Sequence, residues 1–141
     1  MEDLLALGAR VLDSQPFSRK LGAELVRFEP GQAVIGLPLT DDLKQQHGFA
    51  HGGVLSYLAD NAITFAGGTV LGPSVLTSEY KINYVRPAKG ERLVATARVL
   101  HHGRSQAVCA CEIVAVHGSH EQTVAFAQGT VVKTRRAEAG P

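Results

Sequence analysis

The chain has only two cysteines, Cys109 and Cys111, and no CxxC pair. They stand two apart in a strand-like run, so they face the same way and make poor disulfide partners. The expectation is small core or near-core packing in a reducing compartment, not redox or metal chemistry. An excess of one charge is also missing. The formal net charge is +1 with 19% charged residues, which leaves no broad field for nucleic acid or an anionic membrane surface. No apolar run reaches the roughly 18 to 20 residues that span a bilayer. The opening MEDLLALGARVLDSQPF carries acidic residues where a secretion signal carries positive ones. A cytoplasmic protein with neither nucleic-acid nor membrane partner is expected. There is no GxSxG or phosphate-loop motif, no internal repeat and no linker. His47, His101, His102, His117 and His120 lack metal-ligand spacing and fall mostly in expected turns, so no metal site is assigned.

What is present is enough for one domain over residues 1–141, a length that buries about two thirds of its unfolded surface. Leu4, Leu5, Leu7, Val11 and Leu12 recur at helical spacing until Ser14-Gln15-Pro16, which predicts a short amphipathic helix within an N-terminal segment 1–22. Ala23 to Phe28 and Gln32 to Leu37 read as two strands about Glu29-Pro30-Gly31. After a polar loop, Gly52 to about Gly68 reads as the one long helix, closed by Gly67-Gly68. Four stretches rich in Val, Ile, Thr and Ala follow: Val75 to Arg86, Glu91 to His101, Ser105 to Val116 and Gln122 to Thr134. The short turns between them, Pro87-Ala88-Lys89-Gly90 among them, predict antiparallel neighbours. The class is α+β, a long antiparallel sheet covering one apolar helix, with residues 135–141 as a flexible tail.

The helix carries the functional signal. From Gly52 to Thr69 it has no Lys, Arg or Glu. One curved sheet covers only part of so apolar a helix, so its other face is expected to meet the same surface of a second subunit. Its polar residues Ser56, Asp60 and Thr64 are spaced i, i+4, i+8 and form one stripe, expected to line a cleft. A buried, unpaired carboxylate costs several kcal/mol, so Asp60 either points to water at an edge or faces a ligand. Gly52 and Gly53 put bare backbone at the helix start, where unsatisfied N–H groups and the positive dipole end can polarise a carbonyl; a tight loop-to-helix turn is the plainer reading. Eight residues separate Gly52 from Asp60, about 12 Å of helix. One carbonyl cannot touch both within one chain. If both serve one reaction, they come from different subunits.

At these residues the sequence resembles a known family. HGGVLSYLADNA, His51 to Ala62, followed by TSEYKINYVRPA, Thr77 to Ala88, is similar to the hot-dog-fold acyl-CoA thioesterases of the phenylacetic-acid-pathway and hydroxybenzoyl-CoA type. The likeness runs from about Ala23 to Thr134. It implies a sheet wrapped round one helix, a homodimer with a continuous sheet, and commonly a dimer of dimers. It implies an acyl-CoA substrate, with the Gly52 N–H polarising the thioester carbonyl and Asp60 acting as nucleophile or as general base on water. Gln45 matches an amide that assists near the carbonyl or the water. Thr64 matches a hydroxyl one turn beyond the carboxylate in one branch, and Thr77 a water-positioning hydroxyl in another. His51 belongs to the motif and is expected to hold the loop. Gly53, Ser56 and Asn61 are assigned to substrate binding within the motif. Arg86, Lys89 and Arg104, cations at turns, are candidates for the CoA phosphates. Such hydrolysis needs no cofactor and no metal. Two other readings remain on the same fold: a non-catalytic acyl-CoA-binding module, and a dehydratase or hydratase. Small residues Ala59, Ala62, Ala66 and Gly67 suggest room for an aromatic or medium acyl chain, or close helix packing across a dimer.

Overall fold

The computed structural model describes residues 3–135; the expected tail beyond Arg135 lies outside the described residues. The chain opens with two helices where the pattern predicted one. Helix α1, Leu4–Asp13, is capped by Asp3, whose carboxylate accepts the Ala6 N–H at 2.7 Å. Helix α2, Pro16–Leu21, follows at once. Pro16 does two jobs: it holds Gln15 in extended backbone, which ends α1, and it takes the first position of α2, where an N–H is dispensable. Gly22, at φ +73°, closes α2 in the left-handed conformation that glycine adopts freely.

Six strands form one antiparallel sheet: β1 (Glu24–Glu29), β2 (Gln32–Pro38), β3 (Val75–Tyr84), β4 (Arg92–His102), β5 (Gln106–His117) and β6 (His120–Lys133). Their spatial order is β1-β2-β4-β5-β6-β3. The expected hairpin between β3 and β4 does not form. The connector leaves Tyr84, buries Ala88, whose carbonyl accepts the Ala50 N–H at 2.8 Å, and re-enters the sheet at β4, with β6 and β5 lying between it and β3. Strand β3 instead pairs with β6, Val75 opposite Lys133 and Tyr84 opposite Ala125. Gly129 permits this pairing: a Cβ there would lie 2.7 Å from the Glu79 carbonyl oxygen and from Tyr80 Cβ.

The sheet wraps helix α3, Gly52–Leu71, the hot-dog arrangement expected from the sequence. Alternate residues point inward: Ala33, Ile35 and Leu37 from β2, Leu93, Ala95 and Ala97 from β4, all fully buried. They meet Leu58, Ala59, Ala62, Ile63 and Ala66 of the helix. Burying Leu58 and Ile63 contributes about 1.5–3 kcal/mol each. Ala59, Ala62 and Ala66 are therefore core residues against the chain's own sheet, and they provide neither acyl space nor a dimer contact. Gly67 is not a stop signal. A Cβ at that position would approach Val131 Cβ to 2.8 Å, so the glycine lets helix and sheet touch, and α3 runs on to Leu71 before Gly72, at φ +99°, ends it. The second face of α3 is also not the apolar surface expected. Gly53, Ser56, Tyr57, Asp60, Asn61 and Thr64 are exposed or half-buried there, uncharged apart from Asp60.

Candidate active site

Helix α3 begins at a loop that is stitched together locally. The Gln45 side-chain oxygen accepts the His47 N–H at 2.6 Å and the Phe49 N–H at 3.3 Å, and the His51 N–H reaches the Leu43 carbonyl at 2.9 Å. His51 is the N-cap: its Nδ1 accepts the Gly53 N–H at 2.8 Å, so the neutral ring carries its proton on Nε2. The Val54 N–H turns back to the His51 carbonyl at 3.0 Å. Of the first-turn donors this leaves the Gly52 N–H, which has no acceptor among the described residues.

The two glycines differ in what they allow. A Cβ at Gly53 would sit 3.0 Å from His51 Nδ1, so its bareness serves the cap. A Cβ at Gly52 would make only an ordinary 3.4 Å contact with the Tyr84 ring, and its φ is not positive. The fold does not require glycine at 52. Tyr84, at the end of β3, roofs this spot, donating to the Gly52 carbonyl at 3.2 Å and sharing a 2.7 Å hydrogen bond with Ser56. Gln45, Gly52, Tyr84 and Arg86 line one hollow.

Asp60 lies elsewhere. It faces a second, open hollow, about 620 Å³, bordered by α2, the middle of α3 and the start of β3. Its carboxylate is half-buried and makes no hydrogen bond or ion pair with any described residue. Beside it, the Thr64 hydroxyl donates to the Asp60 carbonyl at 2.9 Å and also meets the Thr77 hydroxyl. Thr64 has one proton and spends it on that carbonyl, so Thr77 donates to Thr64 and presents only lone pairs to the hollow. Gln45 and Gly52 line one hollow and Asp60, Thr64 and Thr77 the other, and Gly52 and Asp60 stand about 12 Å apart along α3 at its rise per residue.

Comparison with known proteins decides the family. The thioesterase superfamily model matches residues 47–122, which include Gly52, Asp60, Thr64 and Thr77 but not Gln45. The chain belongs to the thioesterase superfamily. It is 33% identical over 113 residues to the acyl-coenzyme A thioesterase PaaI of Escherichia coli K12, covering 79% of this chain and 78% of that protein. A 1,4-dihydroxy-2-naphthoyl-CoA hydrolase of Listeria monocytogenes is 32% identical over 90 residues, 62% of this chain and 73% of its own. Among solved structures, a thioesterase family protein from Silicibacter pomeroyi superposes with a TM-score of 0.86 at 32% identity, covering 91% of this chain and 96% of that one.

As a member of this superfamily the chain is a hydrolase, and its remaining candidates sort as follows. Ser56 is taken by Tyr84 and lines neither hollow, so the stripe reaches the second hollow only at Asp60 and Thr64. Asn61 lines that hollow but spends its amide N–H groups on Gln15, at 3.0 Å, and Tyr57, at 3.1 Å. Arg86 borders the first hollow and donates to the Thr123 carbonyl at 2.8 Å, with exposed Lys89 on the same connector. Arg104 is at the opposite end of the sheet, next to Ser105, whose carbonyl accepts the Lys133 N–H. The three cations do not converge within one chain. Among the described residues no three His, Cys, Asp or Glu side chains cluster as a metal site, and no helix is long and apolar enough to cross a membrane. Cys109 and Cys111 are free, buried thiols, pushed by burial up to about 11 and about 12. Sequence reasoning missed the role of Tyr84, at the end of β3, and the contribution of α2 to the Asp60 hollow.

Proposed function

We propose that the protein is an acyl-CoA thioesterase whose active site is shared between two subunits, with an aromatic or medium-chain acyl-CoA as substrate. One observation carries the reading: the same helix holds an unpartnered N–H at Gly52 and an unpartnered carboxylate at Asp60, in separate hollows too far apart for one carbonyl group. Packing two α3 helices antiparallel across a two-fold axis brings each Gly52 to Asp60 of the partner subunit. The dimer is then the smallest competent unit, and such dimers pair into a tetramer. The names of the PaaI and naphthoyl-CoA relatives support acyl-CoA as the substrate class. The free thiols suit a reducing, cytoplasmic setting.

In this site the Gly52 N–H, at the positive end of a 20-residue helix, holds the thioester oxygen as negative charge develops on it. Asp60 then acts in one of two ways. It attacks the carbonyl carbon, expelling the CoA thiolate and leaving an acyl anhydride for water to cleave, or it takes a proton from the water that attacks. Thr77 accepts a hydrogen bond from that water. Conversion of Asp60 to its hydroxamate by hydroxylamine during turnover marks the first route; label from 18O-water confined to the acid product, with Asp60 unmodified by hydroxylamine, marks the second.

Subunit mixing tests the shared site. Gly52→Val and Asp60→Asn chains are each inactive, but a mixed dimer has one interface with both groups intact and one with both defects. Random exchange makes about half the dimers mixed, so activity recovers to about a quarter of wild type. No recovery, with subunit exchange proven and both variants folded, refutes the shared site.

A further inference from the structure

The wall of the Asp60 hollow built by α2 is held in an unusual way. Helix α2 has six residues, too few to be stable alone. It buries only Ser18 and Leu21, and Ser18, 1% exposed, is the one buried polar residue of the described chain. Ser18 sits in a closed network. Its hydroxyl donates to the Gln15 side-chain oxygen at 2.5 Å and lies 2.6 Å from the Tyr57 hydroxyl, while Asn61 donates to Gln15 at 3.0 Å and to Tyr57 at 3.1 Å. Since the Ser18 proton goes to Gln15, Tyr57 must donate to Ser18, and every hydroxyl proton is spent inside the network. It ties α2 to α3 one residue from Asp60. Next to it, Phe17 stands 58% exposed with its ring edge-to-face on Tyr57, centroids 5.5 Å apart.

The hollow's chemistry says which part of a substrate enters. It has no Lys or Arg in its lining, and its single charge is the Asp60 carboxylate, so it repels phosphates. Pro16, Phe17, Tyr57, Val75 and Leu76 give it apolar walls. The other hollow has Arg86 at its border and suits the nucleotide end.

We propose that the hollow between α2, α3 and β3 is the acyl subsite, that Phe17 is its outer wall, and that the Ser18 network is a positioning device fixing how large an acyl group fits. This rests on the thioesterase reading and deepens it. The test is thiol release from propionyl-, hexanoyl-, decanoyl-, benzoyl- and phenylacetyl-CoA, with kcat and KM measured separately. Phe17→Ala, a surface change, should raise the kcat/KM ratio of decanoyl-CoA over propionyl-CoA by about tenfold, the scale by which a pocket discriminates a few carbons. Ser18→Ala should shift the ratio the same way, mostly through KM. Tyr57→Phe, which removes one hydroxyl without opening a cavity, takes its place if Ser18→Ala does not fold. Ile35→Val, deep under β2, should lower stability and leave the ratio unchanged. Ratios within twofold of wild type in all variants overturn the subsite. A shift with Phe17→Ala alone overturns the role given to Ser18. Wild-type protein that releases no thiol from any of these overturns the thioesterase reading and the subsite with it.

Discussion

Replacing Gly52 by alanine separates what the fold needs from what the chemistry needs. The added methyl would meet the Tyr84 ring at 3.4 Å, an ordinary contact, on backbone whose φ suits any residue. Steric cost is therefore small, and alanine's helix propensity favours the folded state by up to about 1 kcal/mol over glycine. Thermal unfolding should shift up by a few degrees or not at all, on the order of 3 °C for a chain this size. Activity should move the other way. Removing an oxyanion donor costs about 100- to 1,000-fold. The methyl leaves the N–H in place and only obstructs approach, so kcat/KM should fall by about 10- to 100-fold. Gly53→Ala is the control for stability: its methyl would lie 3.0 Å from His51 Nδ1 and press on the 2.8 Å cap bond, a loss of about 1 kcal/mol that offsets the propensity gain. Circular-dichroism melts and a thiol-release assay on the same preparations give both axes. A Gly52→Ala protein of wild-type activity, or one that melts well below wild type, refutes the reasoning, because the glycine would then be neutral or purely structural.

Asp60→Asn should lower kcat by about a hundredfold or more. Because the carboxylate has no protein partner, the melting temperature should hold or rise; a large stability loss would show that Asp60 has a structural role. Cys109 and Cys111, with thiols raised to about 11 and about 12, are almost wholly protonated at pH 8, so the native protein should resist a disulfide reagent that labels both thiols in denaturant. Prompt labelling of the native state would contradict their burial. Gly67→Ala should destabilise by about 1–3 kcal/mol, since its Cβ would fall 2.8 Å from Val131, as read from denaturant midpoints; an unchanged midpoint would show that helix and sheet can separate freely.

The parts of this structure that repeat along the chain were legible in the sequence, and the parts that depend on meetings between distant residues were not. Helix α3 and the alternation of β4, β5 and β6 follow from local periodicity, which one-dimensional reading captures. The Gly52-to-Asp60 separation was readable too, because a helix converts sequence spacing into distance. The pairing of β3 with β6 was not: nothing local to Val75–Tyr84 says whether its partner is the next strand or the last. Gly67 and Gly72 look alike as letters, yet one admits Val131 and the other turns the chain at φ +99°. Pro16 reads as an end and is also a beginning. Ser18, a single polar residue in a six-residue helix, gives no periodic signal, and only the fold brings it to Tyr57, 39 positions away.

The pairing of β3 with β6 has a consequence for how activity arises as the chain is made. Thr77 lies on β3, and β3 is anchored at its far edge only by β6, the last strand synthesised. Roughly fifty residues must emerge between the two, a wait of about 3 to 10 s at translation rates of about 5–20 residues per second. During that interval β3 has no strand neighbour, and Glu79 and Lys81 are the charges on the strand that discourage stray pairing. The hollow beside Asp60 closes only when β6 docks. A pool of chains halted before β6 would hold all of α3 and four paired strands of the six, while β3, with Thr77 on it, would be present without its strand neighbour.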